Sequence, residues 1–433
     1  MLVYSHHITP RLQYIVDYLN EKLGLQAVVT NDAETFKAHP SAKINYSTQR
    51  LAADELFIQS SGLLHEDEIR KQYIHCFEWK NSIAFFQTND DVGFDIFSAI
   101  FYCVSRYEEY LEHEPDEYGR YAHWNSWAWK NHLLHKPVVD GWLQEFGKML
   151  QNKFSTQASG FTIHASGFAF IPTYDIDIAW SYKHKGFWKS IASSLKYPST
   201  IGTRWKVLRG KLQDPYDSYE WLHRLHHQYQ LSPIYFFLVA KEQGSLDKNT
   251  SPKTKALQQL IQQAKQNYEV GLHPSVHSNT AKECLANEKN ILQQLIRERV
   301  TKSRHHYLQV HVPHSYREII AAGITDDYTM GYGTVNGFRA STSNSFLWYD
   351  LENECSTQLR IHPFAFMEAN SFYELKQKPD KALQELIQLK NEVLQVNGTL
   401  ITIFHNHMLG TAPMFAGWRE MYEEFVKLLT KPV

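Results

Sequence analysis

The chain has 433 residues, with 44 Lys and Arg against 46 Asp and Glu, a formal net charge of −2, and 14% aromatic residues. That length leaves room for two or three domains, and the balanced charge gives no electrostatic basis for binding nucleic acid or an anionic membrane. Cys76, Cys103, Cys284 and Cys355 are scattered without a CxxC pair, which gives neither a zinc–thiolate knuckle nor a disulfide framework.

The N-terminal residues MLVYSHHITPRLQYIVDYL lack a basic segment followed by an apolar one, and no apolar run is long enough to span a bilayer. A soluble cytoplasmic protein is the expectation. Thr9 and Pro10 open an amphipathic helix through Leu12, Ile15, Val16, Tyr18 and Leu19, and Leu25 to Thr30 follows as a strand. Ile83 to Phe86 reads as another strand. Phe94 to Leu111 has apolar residues at helical spacing. His113 to His135, rich in Trp, Tyr and His, reads as an irregular aromatic loop. Its Trp124, Trp127 and Trp129 have the chemistry to stack a sugar, although packing between domains is the commoner use of such a cluster. Pro137 to Leu150 is predicted helical. These residues make a smaller α/β domain over 1–165, with a boundary in the Ser/Thr/Gly-bearing stretch Phe154 to Ser166.

From Phe168 the pattern becomes regular. Strand-like runs are Gly167 to Tyr174, Pro233 to Ala240, Glu269 to Leu272, Tyr307 to His311, Tyr328 to Met330, Leu359 to Pro363 and Thr399 to Phe404. Helical runs lie between most of them. Strands alternating with helices imply parallel pairing through right-handed crossovers. About seven such strands over residues 166–433 fit a closed or nearly closed (β/α) barrel better than an open sheet.

The chemistry gathers at the C-terminal ends of these strands, where a barrel carries its active groups. The first strand ends in Thr173-Tyr174-Asp175-Ile176-Asp177. Two carboxylates at the end of a buried strand need a partner: a metal, with one Asp as ligand and the other as base, or else the next helix, capped by one Asp with the other in solvent. The third strand ends in His273-Pro274-Ser275-Val276-His277. Pro274 suits the first position of a helix, which would put His273 and His277 on one face, within reach of one ion. Alone, two histidines near a helix N-terminus more often do capping and surface work; with Asp175 or Asp177 in the same layer they form a His₂Asp set that leaves positions open for water and substrate. The fourth predicted strand ends at His311, and the last in Phe404-His405-Asn406-His407. In Ser303-Arg304-His305-His306 the adjacent imidazoles point apart. One of them, with His311, is a candidate for pocket lining, although a purely structural role is the better reading.

These motifs resemble those of the NodB-type polysaccharide deacetylases, carbohydrate esterase family four. Thr173 to Asp177 resembles the first motif and His273 to His277 the second. Gly337-Phe338-Arg339-Ala340 resembles the third, and Ile403-Phe404-His405 the fifth. The resemblance covers residues 166 to 433, and the chain is similar to a bacterial subgroup carrying an extra N-terminal domain of unassigned role. It implies a distorted barrel and a divalent metal held by Asp177, His273 and His277. It further implies Asp175 as general base, Arg339 paired with Asp175, and His405 as general acid. Three departures stand out: Ile176 splits the usual adjacent Asp pair, the loop after Arg339 reads Ala340-Ser341-Thr342, and the fourth motif has no clear counterpart, Asp350 being a poor one. His407 competes with His405 as the acid, and Tyr174 with its backbone N–H, His311 and His407 are possible pocket residues.

The function expected is metal-dependent removal of an N-acetyl group from an amino-sugar-containing glycan or precursor. Zinc is the default for a His₂Asp set, with nickel, cobalt or iron as substitutes. The partner is a carbohydrate substrate, and no protein partner is inferable. A metal-dependent phosphoester hydrolase would need a further carboxylate for a second ion. A degenerate barrel that only binds carbohydrate is the third reading.

Overall fold

The computed structural model describes residues 1–154, 167–184, 200–279 and 281–429. The expected boundary stretch Phe154 to Ser166 lies almost wholly outside them. Strands β1 (Leu2–Tyr4), β2 (Val28–Thr30), β3 (Lys43–Ser47) and β4 (Leu56–Gln59) form a four-stranded sheet in the order β2-β1-β3-β4. All of its pairs are parallel. The helix Pro10–Leu23 begins where the sequence predicts: Thr9 accepts from the Leu12 N–H and Pro10 fills the first turn. Its Leu12, Ile15, Val16 and Leu19 are buried, as the 3.6-residue period requires. The helix Ile96–Val104 is buried along its whole length, with Asp95 as its cap. A small hairpin, β5 (Phe77–Trp79) and β6 (Ser82–Ala84), follows the first sheet.

The second sheet contains β7 (Ala169–Ile176), β8 (Ile234–Phe237), β9 (Glu269–Leu272), β10 (Lys302–Ser303), β11 (Asp326–Asp327), β12 (Phe346–Asp350), β13 (Cys355–Ile361), β14 (Phe366–Met367) and β15 (Thr399–His405). Its nine strands run in the order β12-β13-β11-β10-β9-β8-β7-β15-β14. Every neighbouring pair is parallel except β12 with β13. The central strands are apolar on both faces, as sheets covered on both sides must be; all four residues of β8 are buried. The fold is thus α/β with a large, mostly parallel sheet.

Two predicted strands are displaced. The run Tyr307 to His311 is not extended: a 3-10 turn spans His306–Leu308, and the strand before it is Lys302–Ser303. Likewise β11 is Asp326–Asp327 instead of Tyr328 to Met330. Both strands are two residues long, too short for a period of two to register. The antiparallel strand β12 has no counterpart among the predicted strands.

The halves are tightly joined. A single apolar cluster includes Ile15, Phe97 and Trp142 of the N-terminal part and Trp348, Phe404 and Phe425 of the C-terminal part. Polar ties cross as well: the Arg11 Nε donates to Glu354 Oε2 at 3.0 Å, the Tyr14 hydroxyl to the Leu347 carbonyl at 2.7 Å, and the Ser343 N–H to Asp140 at 2.7 Å. Among the described residues no helix is long and apolar enough to cross a membrane.

Candidate metal centre and its surroundings

Because β7, β8, β9, β10, β14 and β15 run parallel, their C-terminal ends open on the same side. β7 delivers Asp175, with Asp177 just beyond it. Residues two apart on an extended chain face the same way, so both carboxylates look toward that opening. Tyr174 faces the other way. Its hydroxyl is buried against His226 Nε2 at 2.7 Å and Tyr422 at 2.5 Å, so its side chain is no pocket residue, and the strand alternation is the reason. β15 is in register with β7, with His405 opposite Asp175.

Arg304, at the end of β10 and fully buried, is the cation of this floor. Its Nη1 donates to Asp175 Oδ1 at 2.9 Å and to Thr173 Oγ1 at 2.7 Å, and its Nε to the Tyr328 carbonyl at 3.0 Å. Arg339, expected in this place, is elsewhere. Its Nε and Nη2 fork onto Glu109 at 2.8 and 2.6 Å. Glu109 also accepts from Arg106 Nε at 2.7 Å. The expectation that Arg339 pairs with Asp175 is therefore corrected: a carboxylate from the N-terminal half takes it.

Around Asp177 three imidazoles converge. His273 Nε2 lies 3.1 Å from Oδ1, while His306 Nε2 and His405 Nε2 lie 3.7 and 3.6 Å from Oδ2. Each ring is held from behind. The His273 Nδ1 meets the Arg304 carbonyl at 2.5 Å, the His306 Nδ1 meets Asp247 Oδ1 at 2.8 Å, and the His405 Nδ1 meets Glu368 Oε1 at 3.0 Å. A carbonyl oxygen cannot donate, so His273 carries its proton on Nδ1 and turns Nε2 toward Asp177. Backing a ring nitrogen with a carbonyl or carboxylate is how metal-ligating histidines are oriented.

One ligand atom from each of Asp177, His273 and His306 lies within 4.8 Å of the others. The fit to a cation rests on more than proximity. Asp177 Oδ1 is buried and makes no hydrogen bond, although His273 Nε2 is only 3.1 Å away. Burial pushes the Asp177 carboxyl up, but His306 and His405 override it and hold the group well below the usual carboxylate range. Burial likewise opposes charge on His306 and His405, yet Asp177 with Asp247 raises the former to about 9, and Glu368 with Asp177 raises the latter to about 10. The field that keeps protons on these rings would also favour a metal ion, whose binding must displace protons from its ligands.

His277 stands apart. Its side chain is 51% exposed, with Nε2 3.8 Å from Glu242. Residues 274–276 are not helical, and a short 3-10 turn begins only at His277, so the helical spacing that would bring His277 under His273 does not exist. The loop is fixed instead by Glu288, which accepts from the Ser275 N–H at 2.9 Å, and by Asp247, which accepts from the Val276 N–H at 3.0 Å.

The centre opens into a cavity of about 390 Å³, lined among others by Tyr118, Arg120, His305, Tyr307, Tyr373 and His407. The His407 ring is 5.3 Å from that of His405. Its Nδ1 has no hydrogen-bond partner, and burial followed by the charge on His405 pushes it down to about 3. His311 is not among the lining residues. Asp350 is tied to Arg317 Nε and Nη2, both at 2.7 Å, so it orients no histidine here. Sequence reasoning passed over Asp247, Arg304 and Glu368 and set His306 aside. Only the run at 303–306 carried a signal, hidden by the displaced strand.

Residues 1–155 match a family described as a family of unknown function (DUF7033). No curated protein matches the chain. Among solved structures the chain is similar to a proposed polysaccharide deacetylase from Mycobacterium smegmatis, 13% identical over 61% of this chain and 84% of that one, with a TM-score of 0.40. It is similar to an allantoinase, 11% identical over 60% of this chain and 83% of that one, with a TM-score of 0.37. A pseudoenzyme of the CE4 family from Bacillus anthracis is also similar, 9% identical over 61% of this chain and 63% of that one, with a TM-score of 0.28.

Proposed function

We propose that the protein is a metal-dependent amide hydrolase that removes an N-acyl group, acetyl above all, from an amino sugar. The observation that carries this reading is the convergence of His273, His306 and His405 on Asp177 at the strand ends, beside Asp175 held by Arg304. Asp177, His273 and His306 would hold one divalent ion, zinc by default for a set of two imidazoles and a carboxylate. When bound, such an ion polarises an amide carbonyl and lowers the pKa of water.

The chain's own residues do the rest. Asp175 has Oδ1 committed to Arg304, which leaves Oδ2 to take the proton of an attacking water. His405, with Nδ1 on Glu368, turns Nε2 toward the cavity to give a proton to the departing nitrogen. An amine leaves poorly as an anion, so that proton is essential. Burial and the charge on His405 disfavour the charged form of His407, which makes it the poorer acid of the two histidines of the last strand. Glu368 takes the part of the carboxylate that orients the acid. The cavity is within the range that accepts a small ligand, and its tyrosines offer rings on which a sugar face can stack.

We read the large sheet as a distorted barrel. The Phe364 N–H donates to the Met330 carbonyl at 3.1 Å and the Ala365 N–H to the Ile401 carbonyl at 3.0 Å. The run 355–367 thereby bridges the side of β11 and the side of β15. Residues 1–165 form the smaller α/β domain in this reading.

The test is release of acetate from a panel of N-acetylated amino sugars and their oligomers by zinc-loaded protein, beside the Asp177→Ala and His405→Ala variants. Acetate from at least one substrate, lost in both variants, is the expected result. No acetate from any of them with a fully loaded protein would count against the reading.

A further inference from the structure

The hairpin at 115–121 belongs to the N-terminal half, yet it reaches the cavity. Its ends pair across Pro115 and Tyr121, and the Asp116 N–H donates to the Arg120 carbonyl at 2.9 Å. Asp116 rigidifies the turn, accepting from the Tyr118 and Arg120 N–H groups at 2.9 Å and from Arg120 Nε at 2.7 Å. Arg120 is thus 4% exposed and pre-set in direction. Its Nη1 donates to the Tyr307 carbonyl at 2.7 Å, and the Tyr118 carbonyl accepts from Gln309 Nε2 at 3.1 Å. The Tyr118 and Tyr307 rings pack at 5.3 Å.

The segment these contacts grip is unusual. Tyr307 and Leu308 have φ of 57° and 54°, and two successive non-glycine residues in the left-handed region persist only where their surroundings enforce it. His306 immediately precedes them and carries its Nε2 to 3.7 Å from Asp177 Oδ2. Gly333 completes the arrangement, because a Cβ there would fall inside the Arg120 guanidinium.

We propose that the N-terminal half is a working part of the metal centre: Arg120 is a positioning residue that, through the Tyr307 carbonyl, holds the left-handed turn aiming His306 at Asp177. This rests on the metal reading above and assigns the N-terminal half a task, that of a strut for one ligand. Arg120 is not one of the three groups that would hold the ion.

Cobalt(II) titration of the full-length protein, followed by its visible absorption, tests this for wild type, Arg120→Ala and Gly333→Ala. The second variant disturbs Arg120 from the other half by a single methyl group. The expected result is 10- to 100-fold weaker cobalt binding in both, the range for losing an outer support, with an altered band intensity as an imidazole is lost or loosened. Arg120→Lys should restore part of the affinity, since it keeps one donor. Should Arg120→Ala fail to fold, Gly333→Ala decides. Folded variants with wild-type affinity and spectrum would overturn the strut while leaving the metal reading intact. A wild type that binds no cobalt would overturn both.

Discussion

Two buried clusters of charge meet near the junction of the halves, and they are built on opposite plans. Around Glu109 the plan is closed: Arg339 forks onto its two oxygens, and Arg106 binds both Glu109 and Glu108. Around Asp177 it is open, with three imidazole nitrogens turned to one carboxylate at 3.1 to 3.7 Å and a buried oxygen that bonds none of them. The guanidinium fork matches a carboxylate and leaves nothing over, so the first cluster ties the chain together. The imidazoles around Asp177 are each held from behind at Nδ1 and turn Nε2 toward its carboxylate, an arrangement that a cation could use.

Changes to the two clusters should therefore break different properties. The largest effect is expected for Asp177→Ala, with loss of the bound ion and of acetate release to background. His405→Ala should keep the ion and lower turnover by about 10²- to 10⁴-fold, the share of a general acid, as metal content and steady-state rates will show. Arg339→Ala should act on stability. A buried pair broken on one side costs about 3–5 kcal/mol, readable as a lower urea midpoint, with unchanged metal stoichiometry in the protein that remains folded. The pH dependence of stability sharpens the contrast. Burial raises the Glu109 carboxyl, but Arg339 and Arg106 hold it at about 2 against an ordinary 4.5. The stability it contributes is present above pH 4.5 and lost as pH falls toward 2. The loss is about 3 kcal/mol in wild type, and urea unfolding across that window should show a smaller loss in Arg339→Ala. Glu368→Gln is the mildest change, keeping shape but weakening the hold on His405. A 10- to 100-fold fall in turnover with an intact ion is expected.

The sequence exposed the second sheet well where strands were long. Glu269–Leu272 and Thr399–His405 stand where apolar runs placed them, and with them Asp175, Asp177, His273 and His405. It misled where geometry depends on short elements. β10 has two residues, so the apolar pattern puts the strand after Arg304 and His306 instead of before them, and both lose their strand-end position. His277 has a helical spacing from His273 that the chain does not adopt. Arg339 has a motif-like setting, but Glu109, which claims it, is 230 positions away, and Glu368 is likewise recognisable only once β14 lies beside β15. Contacts between distant residues leave no local pattern to read.

Metal content by mass spectrometry on purified wild type, His306→Ala and His277→Ala tests the central claim most directly. One ion per chain in wild type and in His277→Ala, with none retained in His306→Ala, is the predicted result. An ion kept by His306→Ala and lost from His277→Ala would contradict it and return the centre to the helical His₂Asp arrangement that the sequence first suggested.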